Sequence, residues 1–211
     1  MSEAVALIGA GGHAKVVLST LLEAGYSGVE LYDDDRSLWG TEILGARVAG
    51  APAELRGSGR RAVIGVGSNA ARAQIARELG LDWLTVVHPR AWVHASVRLG
   101  PGTVVFAGAV VQPDAVLGCH VIVNTSASID HDCRVADYAH LAPGVRLCGG
   151  VSVAEGALLG VASAAIPGTR VGAWAVVGAG AVCVGDVAER TTVRGVPARP
   201  VEPSRGSAGH P

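Results

Sequence analysis

A hydrophobic row with a period of six runs through the middle of this chain and leaves few folds open to it. The row reads Leu99, Val105, Val111, Leu117, Val123, Ile129, Val135, Leu141, Leu147, Val153, Leu159, Ala165, Val171, Val177 and Cys183. Two residues before each lies a second, mostly small row: Val97, Thr103, Ala109, Ala115, Val121, Ala127, Cys133, Ala139, Val145, Val151, Ala157. Neither helical periodicity nor strand alternation by itself sustains a six-residue row of this length. A hexapeptide β-helix does: each hexad is a short strand and a turn, and three hexads close one coil with the row pointing inward. At about 18 residues per coil, the stretch from Leu99 to Cys183 holds about five coils. One coil cannot bury its own inner face, so the stack is the folding unit.

Composition agrees with a narrow prism. Aromatic residues make up only 4% of the 211 positions, and 30 are glycine. A net charge of -1 favours neither nucleic acid nor an anionic membrane surface. Glycine and proline interrupt every apolar run before it reaches the length of a membrane span. Met1–Ala10 carries Glu3 and no basic segment, so it does not read as a secretory signal. The four cysteines form no C-x-x-C pair, and Cys133 and Cys183 fall on the inward rows. A reduced, cytoplasmic protein is expected.

The first 87 residues follow a different logic. Ala4–Gly9 is a short apolar run of buried-strand type, followed by Gly9-Ala-Gly11-Gly12-His13-Ala14 and then helical character from Lys15 to Ala24. A second strand, Val29–Tyr32, ends in Asp33-Asp34-Asp35. A glycine turn between strand and helix, with an acid about twenty residues on, fits a dinucleotide-type phosphate turn. Arg61–Gly67 is a third strand, Ser68 or Asn69 caps a helix to Leu79, and Leu84–Val87 reads as a fourth strand. This gives a small Rossmann-like α/β domain over residues 1–87, and a β-helix with its tail over 88–211. One mononucleotide-sized half is too little for a full dinucleotide fold. An NAD-linked oxidoreductase is therefore disfavoured, and a nucleotide or nucleotide-sugar ligand is favoured. After the repeats, residues 195–200 read as extended chain over the open end of the helix, and Ser204–Pro211 as a disordered tail.

Polar residues concentrate between Asn124 and His140: Asn124, Thr125, Asp130, His131, Asp132, Asp137 and His140. His131, flanked by two carboxylates, can act as a general base near neutral pH. Either Asp130 or Asp132 could hold one ring nitrogen, and strand alternation lets only one of them do so. His140 lies half a coil from His131, on another side of the prism, so the two meet more easily across a subunit boundary. His120, His131 and His140 are 11 and 9 residues apart, spacings that do not stack on one face, so no metal site within the chain is expected.

With these residues in view, the chain resembles the two-domain bacterial acyltransferases that include sialic-acid O-acetyltransferases and UDP-4-amino-sugar N-acetyltransferases. The motifs are Gly9-Ala-Gly-Gly-His13, Tyr32-Asp33-Asp34, Val66-Gly67-Ser-Asn69, His88-Pro89, the segment Asn124–Cys133 and Gly195-Val-Pro-Ala-Arg199. The resemblance implies a left-handed parallel β-helix, a homotrimer and acetyl-CoA as acyl donor, with the active site between neighbouring helices. It assigns His131 as base, Asp132 as its acidic partner (Glu in some members) and the Gly149 amide to the oxyanion. His140, Val161 and Ala179 would line the CoA channel. Gly11, Gly12, His13, Asp33, Asp34 and Asn124 would contact the nucleotide-sugar acceptor, and no metal is implied. The expected activity is acetyl transfer to an amino group of a nucleotide-linked sugar. Sugar O-acetylation and a non-catalytic nucleotide-sugar scaffold are the alternatives.

Overall fold

The computed structural model describes residues 4–201; the expected disordered tail, Ser204–Pro211, lies outside them. The N-terminal unit contains β1 (Ala6–Ile8), α1 (Gly12–Glu23), β2 (Glu30–Tyr32), β3 (Glu42–Ile43), β4 (Ala46–Gly50), β5 (Arg61–Ile64), α2 (Asn69–Leu79) and β6 (Asp82–Trp83). The sheet order is β3-β4-β2-β1-β5-β6, parallel except for the β3–β4 pair. In α1, Ala14, Val17, Leu18 and Leu21 make a stripe at helical spacing, and all four are buried. The Ser68 hydroxyl accepts from the Ala71 amide at 3.4 Å and caps α2, which Gly80 ends in the left-handed conformation. The β3–β4 hairpin was not anticipated. Its tight turn is Leu44-Gly45, both at positive φ, and an exposed leucine there lacks the usual Asn-Gly or Asp-Gly signal.

The second unit is a left-handed parallel β-helix. Its two-residue strands stack on three faces with partners 18 residues apart, as in Val104–Val105 on Ile122–Val123 and Val110–Val111 on Ser128–Ile129. The third face pairs Val116–Leu117 with Arg134–Val135. Both six-step rows point inward: Val105, Val111, Val123, Ile129 and Leu141 are fully buried, as are Ala109, Ala115, Ala127, Cys133 and Ala139 in the companion row. Each Val or Leu so buried contributes about 1.5–3 kcal/mol. The small row lets the three faces close on one another.

The helix starts earlier than the row from Leu99 indicates. Val86–Val87 pairs with Val104–Val105, and Trp92–Val93 with Val110–Val111. Leu84–Val87 is therefore not a strand of the N-terminal sheet. Asp82–Trp83 completes that sheet, and Val86–Val87 opens the first coil. Val87 and Val93 do continue the step of six backwards from Leu99. At the other end, Thr192–Arg194 pairs antiparallel with Arg199–Pro200, and Ala198 packs against the inner core. Residues 195–198 are thus the turn of a hairpin and not extended chain, and it is this turn that lies against that end.

The two units share one core. Val86, Val104 and Ile122 on the outer side of the first face, with Phe106, pack in a single cluster with Val5, Leu7, Val17 and Leu21. Among the described residues no helix is long and apolar enough to cross a membrane.

Candidate active site

The corners of the prism set the site. Every sixth residue from Gly102 to Gly180 has a left-handed φ, and half of these residues are not glycine. His120, Ser126, Asp132 and Tyr138 occupy four successive such corners. A non-glycine residue there costs about 1–2 kcal/mol, and such positions gather at functional sites. At the corner between the second and third faces, Asp132 has φ +60°. That backbone brings its side chain beside the ring of the residue before it, which an extended strand would not do.

His131 Nδ1 lies 2.8 Å from Asp132 Oδ2. A carboxylate only accepts, so Nδ1 carries the proton and Nε2 is left as the basic nitrogen. Asp130 Oδ1 instead accepts from the His131 backbone amide at 2.8 Å. The two carboxylates thus divide the work, Asp132 orienting the ring and Asp130 holding the main chain. The His131 pKa is raised above its usual value, first by the bond to Asp132 and then by the charge of Asp130. Both His131 and Asp132 are exposed.

One coil along, Gly149 lies against this ring. A Cβ on Gly149 would stand 2.7 Å from Nε2 and 2.6 Å from Cε1, closer than any side chain can sit. The Gly149 amide makes no coil hydrogen bond among the described residues, whereas its carbonyl accepts from Gly168 at 3.0 Å. An amide with no partner in the coil therefore belongs to the residue packed closest to the basic ring nitrogen.

His140 is elsewhere, on the outer side of the first face where the α/β unit meets the β-helix. Its Nε2 is 3.1 Å from the Asn124 amide nitrogen, its ring centroid 6.0 Å from that of His13, and it bonds the Gly67 backbone. Burial, then the nearby Arg72 charge, lower the pKa of His13 and of His140 to about 4. His13 Nε2 is buried without a partner. Val161 and Ala179 occupy equivalent turn positions one coil apart, at the corner between the first and second faces. Val161 is 52% exposed. Neither backbone amide bonds within the coil among the described residues.

The expected nucleotide turn opens α1, with Gly11 as its N-cap. A cavity of about 280 Å³ lies beside it, walled by Gly9, Tyr32, Asp33, Asp34, Arg56 and Glu78 over Ile8, Val66, Ile75 and Leu79. Gly9, rather than Gly11 or Gly12, contributes to its wall. Asp33 is a clamp: Oδ2 accepts from Ala10 at 2.7 Å and Oδ1 from Asp35 at 2.9 Å, tying the turn to the end of β2. Asp34 is exposed in the same wall. Among the described residues no group of three His, Cys, Asp or Glu side chains could hold a metal.

Within one chain the structure thus joins His131, Asp132 and Gly149 at one corner, and His13, Asn124 and His140 at the seam between units. Val161 and Ala179 mark a further corner, and Asp33 and Asp34 the cavity. Sequence reasoning missed Arg72 and the Gly67 carbonyl. Arg72 had a signal: an arginine on the apolar stripe of α2, in register with Ala76 and Leu79.

A β-helix with a histidine–carboxylate pair beside a free corner amide, joined to a small α/β unit with a nucleotide-sized cavity, defines a hexapeptide-repeat acyltransferase. Residues 4–79 match the PglD N-terminal domain. The chain is 40% identical to PerB of Caulobacter crescentus, solved in complex with CoA and GDP-perosamine, with a TM-score of 0.88 over 96% of this chain and 99% of that one. It is 38% identical to the acetyltransferase domain of PglB from Neisseria gonorrhoeae, solved in complex with acetyl coenzyme A, with a TM-score of 0.88 over 95% and 100% of the two chains. Over 112 residues, 49% of this chain and 51% of the other, it is 39% identical to UDP-N-acetylbacillosamine N-acetyltransferase of Bacillus subtilis. The matched stretches span about half or less of the curated relatives' lengths. The chain belongs to the PglD-type N-acetyltransferase family.

Proposed function

We propose that this protein is an acetyl-CoA-dependent N-acetyltransferase acting on the amino group of a nucleotide-linked amino sugar. The observation that carries the reading is the corner at His131: a ring nitrogen free to take a proton, oriented through the other nitrogen by Asp132 and set against Gly149, whose amide is unused in the coil. The neutral amine attacks the thioester carbonyl, and the Gly149 N–H donates to the oxyanion. His131 Nε2 takes the proton the amine loses, and returns it to the departing thiolate as the tetrahedral intermediate collapses. Asp132 stabilises the imidazolium formed in between. Relatives solved with CoA and GDP-perosamine, including histidine variants, support this choice of donor and acceptor class.

The nucleotide of the acceptor occupies the cavity bounded by Asp33 and Asp34, and its sugar reaches towards His13 and Asn124. CoA runs along the corner with Val161 and Ala179, towards His140. His131 and His140 stand on different sides of one prism, so a complete site forms where two subunits meet, in a homotrimer of side-by-side helices. A groove of about 760 Å³ along the third face, between Val116, Arg134, Ser152 and Arg170, offers a surface that a neighbouring helix can cover. Four free cysteines and an acetyl-CoA cosubstrate suit the cytoplasm.

Mass spectrometry of the purified protein with acetyl-CoA and a panel of GDP- and UDP-linked 4-amino sugars tests the reading. An acceptor heavier by one acetyl group, labelled on nitrogen, is expected. Acetylation only of hydroxyls, or of none of the panel, would refute it.

A further inference from the structure

We propose that Arg72 is a positioning residue for the transfer site: its buried guanidinium ties α2 and the Val66–Gly67 loop to two corners of the β-helix and, through the Gly67 carbonyl, fixes His140. The inference rests on the transferase reading above and deepens it.

Arg72 is 1% exposed, and among the described residues it has no carboxylate partner. Its donors are met almost wholly by main-chain carbonyls. Nε donates to His120 at 3.1 Å, Nη1 to Val66 at 3.3 Å and Gly67 at 3.0 Å, and Nη2 to Tyr138 at 2.7 Å. Nη2 also reaches the Asn69 side-chain oxygen at 3.0 Å, while Asn69 donates to the Gly156 carbonyl at 3.0 Å. An apolar side chain would fill this place on the α2 stripe at lower desolvation cost. Arginine adds a rigid fork of donors that holds three separate segments in one geometry.

That geometry leads to His140. The Asn124 amide donates to Nε2, and the ring's other partner is the backbone of Gly67, whose carbonyl accepts from Arg72. A shift of Gly67 therefore turns the His140 ring and frees Asn124. The groups facing this seam are His13 from α1, Arg72 from α2, and His120, Asp137 and Tyr138 from the β-helix corners. The Arg72 charge adds to burial in keeping His13, His120 and His140 neutral, while Asp137 acts in the opposite sense on His120.

The test compares full-length Arg72→Lys and Arg72→Gln with the wild type. The readouts are kcat and KM for both substrates, Tm, and pH titration of ¹³Cε1-labelled histidines followed by NMR. Lysine keeps the charge and loses the fork; glutamine loses both. Both variants are expected to lose about ten- to a hundredfold in kcat, with either KM rising by a smaller factor, because His140 and Asn124 are misplaced and not removed. The midpoints of His13 and His140 stay near 4 in Arg72→Lys and climb towards 6.5 in Arg72→Gln, stopping short because burial persists. A lower Tm with kcat and both titrations unchanged would reduce Arg72 to a structural staple and overturn the proposal. If Arg72→Gln does not fold, normal kcat in folded Arg72→Lys overturns it. A wild type inactive on every acceptor would sink the transferase reading alone, because the His140 resonances still report whether the ring has moved.

Discussion

Gly149→Ala isolates the space beside the base. The added methyl would stand 2.6–2.7 Å from two ring atoms of His131, at least 0.7 Å inside ordinary contact at 3.4 Å. Gly149 has no left-handed φ, so alanine brings no backbone strain there. The ring is the far end of an exposed side chain and can swing away, which breaks its 2.8 Å bond to Asp132. Stability should hardly move, since exposed pairs of this kind contribute little to folding. Catalysis should lose most of what a positioned base provides, about 10²–10⁴-fold in kcat, or about 3–5 kcal/mol of barrier. The assay is thiol release from acetyl-CoA with a saturating acceptor, alongside a thermal melt. His131→Ala should show a loss of the same size, and the double variant should be no worse, because alanine leaves the residue 149 amide in place. A Gly149→Ala protein with wild-type kcat would refute the reasoning. So would a large fall in Tm, or strict additivity with His131→Ala.

The pH profile separates the two carboxylates. The bond to Asp132 and the charge of Asp130 raise the His131 pKa, so Asp132→Asn should move the acidic limb of kcat/KM to lower pH while lowering its plateau. Asp130→Asn should shift the limb less and keep most of kcat, since an amide oxygen can still accept from the His131 amide; the reverse ranking would show the partners exchanged. Asp33→Ala should raise the acceptor KM and lower Tm, because two backbone amides lose their acceptor. Asp34→Ala should raise the acceptor KM alone; a change confined to the CoA KM in either would contradict the cavity assignment. Co-expressed His131→Ala and His140→Ala subunits should recover activity if each site draws on two chains. Random mixing in a closed ring leaves about a quarter of the sites intact, whereas a site within one chain recovers none. Sedimentation equilibrium giving a stable monomer would sink the trimer.

The sequence alone determined the β-helix, because a fixed step of six survives only where successive coils superpose, and each residue from Val105 to Cys183 on that row is buried as the step requires. It also marked β1, α1 and their glycine turn, since a strand-to-helix change of period is local information. It named His131 and left Asp130 and Asp132 open, for the choice depends on φ at residue 132, a property of the corner and not of the composition around it. The start of the helix was misplaced for a similar reason: Val86–Val87 is as good a strand for one sheet as for the other, and only its partner, Val104–Val105, decides. Residues 87 apart, Asn69 and Gly156, and 66 apart, Arg72 and Tyr138, meet at the seam. No local pattern carries such a pairing. The tertiary structure therefore decided which carbonyls a buried arginine holds, and with them where His140 points.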